Sequence, residues 1–361
     1  MVAIHSEEAP LVKKGILVCW VVLGLLAIAS PVSSAQRNGL IQGQIANGTA
    51  AGGTVAGLEV ALRVFQESGE EEPQVSTTDA AGAFRFENLR TDTEWSYVVR
   101  VAYQNVIYST GRLAFEAGQS EISTEVSVYE TTTSYEGIDV ERAHIFVTIS
   151  ASTLSVSELY VFANRTDRTY IGTEPIEGRR WVSRFLLPEE NYDLAFEDGT
   201  LGGRFLSIPG GFVDLEPLWP GRTSVIYSYA ADCQAGECDL GREIAHPVSD
   251  LNLLIGATSV QVQSNHLAFD GEREAEGRRY LNYSGGNLRA GEPLDLVVRL
   301  PGAALDRRTP VSNRSSALPW IILGSVLAAL ALIYPFWRQR IQAAAIKESR
   351  KSTRYRDRAE R

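Results

Sequence analysis

The chain has 361 residues and a formal net charge of −10, with 44% hydrophobic and 22% charged residues. Residues 36–316 carry 23 Arg, no Lys and 39 Asp or Glu, a net charge of −16, which argues against nucleic acid or an acidic polymer as ligand. With 3 Cys and 4 His in the whole chain, thiol and metal chemistry have few donors to draw on.

At the start, Lys13 and Lys14 precede an apolar run from Gly15 to Ala29, and Ser-Pro-Val-Ser-Ser-Ala then ends at Ala35. A cationic start, an apolar middle and small residues at the end form the pattern of a secretory signal peptide over residues 1–35, cleaved after Ala35. An uncleaved first membrane helix is the alternative, and it leaves the same body outside. Cys19 lies too early in the apolar run to be the lipid-bearing Cys of a lipoprotein signal.

Short Val, Ile, Thr and Tyr runs broken by Gly and turn residues fill the body, and long amphipathic helices are missing. The predicted class is all-β, as two immunoglobulin-like or prealbumin-like β-sandwich domains in tandem, followed by one C-terminal transmembrane helix. The first domain is predicted over residues 38–130. Gly39 to Asn47 opens it as an alternating strand. Leu58, Val60, Leu62 and Val64 then share one face, with Glu59 and Arg63 on the other, which is the pattern of a half-buried strand. Asp79-Ala80-Ala81-Gly82 reads as a turn. Phe84 and Phe86 form a same-face pair after it, and Trp95, Tyr97, Val99 and Val101 continue the alternation into a hairpin around Asn105.

Gly43, Val60-Ala61-Leu62, and Thr78-Asp79-Ala80-Ala81-Gly82-Ala83-Phe84-Arg85-Phe86 with Leu89 give this stretch its resemblance to the carboxypeptidase regulatory-like domain. The resemblance covers about 90 residues. It implies a prealbumin-type β-sandwich and no peptidase activity, because the family is a module that accompanies the enzyme. Some of its members bind glycans, which makes carbohydrate binding the functional option it implies, beside a plain spacer.

The second region is predicted over residues 138–302. Strands are expected at 144–149, 158–163, 181–187, 192–196, 223–229, 251–255, 260–263 and 294–300. Turns fall at Asn164 to Asp167, Glu197 to Gly199, Pro209 to Gly211 and Trp219 to Gly221. One large β-sandwich is expected here, with two smaller units dividing near Ala230 as the alternative. Leu159 to Gly172, Leu201 to Phe205 and Pro220 to Tyr229 resemble an uncharacterised envelope-protein family, a likeness that implies no chemistry.

Residues 303–316 read as a linker. Residues 318–337 contain no charge, and about 20 apolar residues span roughly 30 Å as a helix, the thickness of a bilayer core. Trp320 at one end and Tyr334 and Trp337 at the other suit the headgroup level. Arg338 and Arg340 open a basic tail, 338–361, whose nine cations face only Glu348, Asp357 and Glu360. Positive flanks stay in the cytoplasm. The predicted localisation is therefore the cell membrane, single-pass, with the tail cytoplasmic and the acidic domains outside.

Candidate chemistry is sparse. Cys233 and Cys238 are predicted to form a disulfide closing a small loop, since two nearby Cys outside the cytoplasm are most simply paired. A redox-active pair would favour Cys-x-x-Cys spacing beside a cation, whereas Asp232, Glu237 and Asp239 surround this one. A zinc site with His246 lacks a fourth ligand. His144, His246 and His266 form no His-Glu-x-x-His pattern, and no Gly-x-Ser-x-Gly elbow is present. Asp270 to Glu276 and Glu189-Glu190 read as solvated loops, with weak Ca²⁺ binding as the other option. Trp181, Trp219, Tyr227 and Tyr229 are either core rings or an aromatic platform for a sugar.

These readings predict no enzymatic activity and no cofactor. The expected role is structural or protein-contacting at the cell envelope. The expected partners are the lipid bilayer, other envelope proteins and, in the alternative, glycan, but not nucleic acid. A second alternative is an accessory factor for assembly of exported proteins.

Overall fold

The computed structural model describes residues 37–300, except 151, 257, 258, 276 and 277. The predicted signal segment, the membrane helix with Trp320, Tyr334 and Trp337, and the tail with Arg338 and Arg340 lie outside the described residues. Every helix or strand among the described residues is a strand, so the body is all-β. None of them forms a helix long and apolar enough to cross a membrane.

The chain falls into two compact units. Among the described residues the first takes 37–46, Val55–Ala102 and Ile107–Ser127, and the second takes Asn47–Thr54, Tyr103–Val106 and 128–300.

The first unit is built on β1 (Arg37–Asn47), β2 (Glu59–Gln66), β3 (Gly69–Glu70), β4 (Gln74–Thr77), β5 (Ala83–Arg90), β6 (Ser96–Tyr103), β7 (Val106–Ser109) and β8 (Glu121–Val128). One sheet has the order β5-β1-β8 and the other β3-β2-β6-β7, with β4 also on β2. Period-2 patterning decides which face is buried. Val60 and Leu62 of β2, Val99 and Val101 of β6, Ile41 and Ile45 of β1, and Phe84 and Phe86 of β5 are all buried, while the residues between them are not. Two sheets that each bury alternate residues make a sandwich.

Two local devices set its register. Asp79 accepts hydrogen bonds from the Ala81 and Ala83 amides, both 2.8 Å, and Gly82 takes φ +82°, which closes the predicted turn into β5. Gln104 and Asn105 have φ of +49° and +63°, the two left-handed positions of a tight hairpin that returns β6 into β7.

The second unit holds a seven-stranded sheet. Its strands run, in spatial order, Asn191–Phe196, Gly221–Asp232, Thr153–Asn164, Ile138–Ser150, Val248–Gly256, Arg278–Leu288 and Ala268–Ala275. Only the Ile138–Ser150 and Val248–Gly256 pair is parallel. Ala230 sits inside one of these strands, paired with Ser155 on one side and Tyr192 on the other, so the chain does not divide there.

The second layer differs from a sandwich of two equal sheets. It consists of small sheets, chiefly Ser183–Leu186 with Gly211–Asp214 and Phe205–Ile208, and Glu237–Asp239 with Leu296–Arg299 and Gln261–Ser264. Turns after every few residues cut these strands to 3 or 4 residues. A single core joins the layers: Val156, Phe162, Tyr227 and Tyr229 of the large sheet belong to the same cluster as Phe185, Phe212, Leu296 and Val298.

Both edges of the large sheet carry a bulge, between Tyr192 and Ala195 and between Phe269 and Glu272. Beyond its bulge the Ala268–Ala275 edge presents Glu272, Arg273 and Glu274. Bulges and charges blunt an edge against pairing with another chain.

Candidate functional site

The densest polar constellation of the second unit is buried. Along Thr153–Asn164 the residues Leu154, Val156, Glu158, Tyr160 and Phe162 alternate onto the core face, and the acid among them is 0% exposed. Glu158 accepts from the Tyr229 hydroxyl at 2.7 Å, the Tyr227 hydroxyl at 2.8 Å, the Tyr160 hydroxyl at 3.0 Å and the Arg242 guanidinium at 2.6 Å. Strand pairing brings two of these donors in: Tyr227 stands directly opposite Glu158, and Tyr229 opposite Val156. Arg242 arrives from 84 residues away and also donates to the Leu240 carbonyl.

Burial is the main cause that pushes the Tyr160 hydroxyl up to about 12 and those of Tyr227 and Tyr229 well above the ordinary range, with the Glu158 charge adding to it. For Arg242 burial is the largest single influence and works against the charge, but Glu158 together with Tyr160, Tyr229 and Tyr227 outweighs it and holds the guanidinium protonated. A carboxylate that already accepts four donors, out of reach of solvent, does not serve as a general base. It fastens three strands together, Thr153–Asn164, Gly221–Asp232 and Arg242–Glu243.

Beside this cluster a cavity of about 20 Å³ is lined in part by Tyr160, Arg184, Arg242, Glu243 and His246, room for a single water. His246 is fully engaged. Its Nε2 accepts the Arg184 amide at 2.9 Å, which places the proton on Nδ1, and Nδ1 pairs with the Tyr135 hydroxyl at 3.0 Å. The ring stacks on Tyr135 and meets Phe162 edge-on. Burial lowers its pKa to about 4, so it is neutral at pH 7.

A second carboxylate ties loops of this unit. Glu130 accepts from Tyr103 at 2.6 Å, the Gly53 amide at 2.8 Å and Asn47 at 3.1 Å, and also from Gln104. The Tyr103 hydroxyl, followed by the Gly53 amide, holds its pKa down at about 2.

No family model matches the chain, and no curated protein matches it. Among solved structures it is similar to the full-length major pilin SpaD from Corynebacterium diphtheriae, at 10% identity over 77% of this chain and 88% of that one, with a TM-score of 0.22. A DUF3823 family protein from Parabacteroides merdae is similar at 14% identity over 54% and 80% of the two chains, TM-score 0.19. The major pilin subunit BcpA of Bacillus cereus is similar at 10% identity over 71% and 86%, TM-score 0.19. Scores this low carry no argument about this chain, and its all-β architecture rests on the strand pairing above.

The four aromatics singled out in the sequence separate. Tyr227 and Tyr229 are 1% and 0% exposed, with their hydroxyls turned onto Glu158, so neither offers a ring face to a sugar. They face inward because the large sheet buries that side under the smaller sheets. Trp181 and Trp219 are half-buried, and the Trp219 Nε1 is buried without a hydrogen-bond partner. Among the described residues no three His, Cys, Asp or Glu side chains gather as a metal site.

Cys233 and Cys238 are joined in a disulfide that closes the loop through Gly236. Chain-entropy reasoning gives a loop this short about 2 kcal/mol of stabilisation. Cys238 is fully buried in the main core, so Cys233→Ser is the cleaner test. It is expected to lower the unfolding free energy by that amount, read as a lower urea midpoint, and an unchanged midpoint would show that the crosslink does not constrain the unfolded chain.

The central residues, Glu158 and Arg242, carry little sign of their role in the sequence. The one signal for Glu158 is an acid at a core-facing position of a period-2 strand. Arg242 has no local signal at all.

Proposed function

We propose that this chain is an exported, single-pass membrane protein whose two all-β units act as structural or protein-contacting modules at the cell envelope, without enzymatic activity. The observation that carries the reading is the Cys233–Cys238 disulfide, because such bonds persist in oxidising compartments and are rare in the cytosol. The charge asymmetry of the sequence supports the same sidedness, with −16 before the apolar 318–337 segment and a basic tail after it. The chemistry-bearing side chains described above support the non-enzymatic part. Glu158, Arg242, Glu130 and His246 are each engaged in holding strands or loops. Glycan binding would have to dispense with Tyr227 and Tyr229, and no observation favours it.

Protease added to spheroplasts expressing the full chain with a C-terminal epitope tag tests the reading. The expected result is loss of the body with a short tagged fragment, the 318–361 stretch, protected. An intact body with the tag removed would overturn it.

A further inference from the structure

The outer face of the first unit's larger sheet is uncovered, and its pattern fits a second copy of itself. Val60, Leu62 and Val64 of β2 and Val99 and Val101 of β6 point inward, so Glu59, Ala61, Arg63, Arg100 and Ala102 point outward. Ala61 pairs with Arg100, and Val60 pairs with Val101, so the next register step sets Glu59 opposite Ala102. The four make a small lattice with Glu59 and Arg100 on one diagonal and the two alanines on the other. The low centre opens into a hollow of about 490 Å³, and two of the most exposed large apolar side chains flank it: Val75, opposite Ala61 on β4, at 59%, and Ile107 on β7 at 51%.

The charges in the hollow are unevenly committed. Arg63 is paired with Glu70. Among the described residues Glu59 and Arg100 enter no ion pair within 4 Å and no side-chain hydrogen bond, although they share a face and a diagonal; Arg100 acts on Glu70 only as a more distant charge. Glu59, Glu70, Arg63 and Arg100 sum to zero, whereas residues 36–316 as a whole carry −16 and repel their own kind.

We propose that this face is a self-association surface, a two-fold contact in which Glu59 of one copy meets the partner's Arg100 and the reverse. A two-fold interface requires that if residue i touches j, then j touches i. An axis laid along the Ala61–Ala102 diagonal does this: it carries each Glu59 over an Arg100 and sets each alanine against itself. Small residues on the axis let the sheets approach, while Val75 and Ile107 fill the flanks. The six residues named on this face, Glu59, Ala61, Arg100, Ala102, Val75 and Ile107, fall short of the roughly 20–30 a side that a stable interface uses, so the contact is transient in solution and is read by trapping. The inference is independent of the membrane reading, and its test does not involve sidedness.

The experiment uses the purified full chain in detergent with Cys19→Ser, so that an introduced Cys is the only free thiol beside the disulfide. Ala61→Cys and Ala102→Cys, treated with a short bis-maleimide, are expected to give covalent dimer at least about tenfold above Glu125→Cys, an exposed position on β8. Adding Glu59→Arg or Arg100→Glu alone is expected to abolish the excess, and the double reversal to restore it. Glu59, Ala61, Arg100, Ala102 and Glu125 are exposed or half-exposed, and an unchanged melting temperature confirms that each variant folds. Yields at the control level, or single reversals that crosslink as well as the parent, would overturn the proposal. A different protein occupying this face would give the first of these results.

Discussion

Arg242→Met is expected to cost about 3–5 kcal/mol, the largest single-residue effect among the variants considered. The reason is asymmetry. Methionine replaces the stem of the arginine well enough, and its own burial is favourable. What remains is Glu158, 0% exposed, with three phenol hydroxyls but no countercharge. An uncompensated buried carboxylate costs far more than the net worth of the pair that held it. Glu158→Gln is expected to fall in the same range from the other side, because it strands the guanidinium. The double variant Glu158→Gln/Arg242→Met removes both charges while the amide oxygen can still accept from the tyrosines. It is expected to be more stable than either single variant, and that non-additivity is the signature of the pair. Tyr227→Phe, which removes one neutral donor, is expected to cost only about 1 kcal/mol. Urea unfolding of the second unit, followed by midpoint at constant slope, reads all four. Arg242→Met or Glu158→Gln losing less than about 1 kcal/mol would mean that the carboxylate is not confined as described.

Much of the first unit is legible in the sequence because its signals are local. Alternation at Val60, Leu62 and Val64, the Asp79 turn and the pair Phe84 and Phe86 each concern residues within a few positions, and the strand period decides which of them face inward. The second unit is less legible because its organisation is non-local. Strands of 3 or 4 residues are too short to show a period, so the small sheets of its second layer merge with their turns when read in one dimension. The aromatics show the limit most clearly. Tyr227 and Tyr229 share a face in the sequence, but which face is covered depends on Phe185 and Phe212, which arrive from other strands. Glu158 and Arg242 lie 84 residues apart, and no spacing rule connects them.

Acid is expected to weaken the second unit before it titrates the carboxylates, and His246 is the lever. Burial lowers its pKa from 6.5 to about 4, so the unfolded chain takes up the proton first as pH falls. Stability tied to this ring is complete above pH 6.5, declines below it at about 1.4 kcal/mol per pH unit, and is fully lost below about 4. The cause is geometric. Protonating Nε2 turns an acceptor into a donor that faces the Arg184 amide, also a donor, and the charge would appear beside Arg184 and Arg242, with only Glu243 of the cavity lining opposing it. Tyr160 and Tyr135 are neutral throughout this range, since burial raises both. His144, lowered to about 4 mainly by burial, adds a decline of the same sign, whereas burial raises Glu197 and Glu216 and gives them the opposite sign. The comparison that isolates His246 is therefore a variant. His246→Gln keeps an acceptor for Arg184 and a donor for Tyr135 but cannot titrate. Between pH 6.5 and 4.5 its unfolding free energy is expected to fall less steeply than that of the parent, by roughly one histidine's slope. Parallel slopes would show that His246 is already protonated in the folded chain, and that the Arg184 amide is not donating to it.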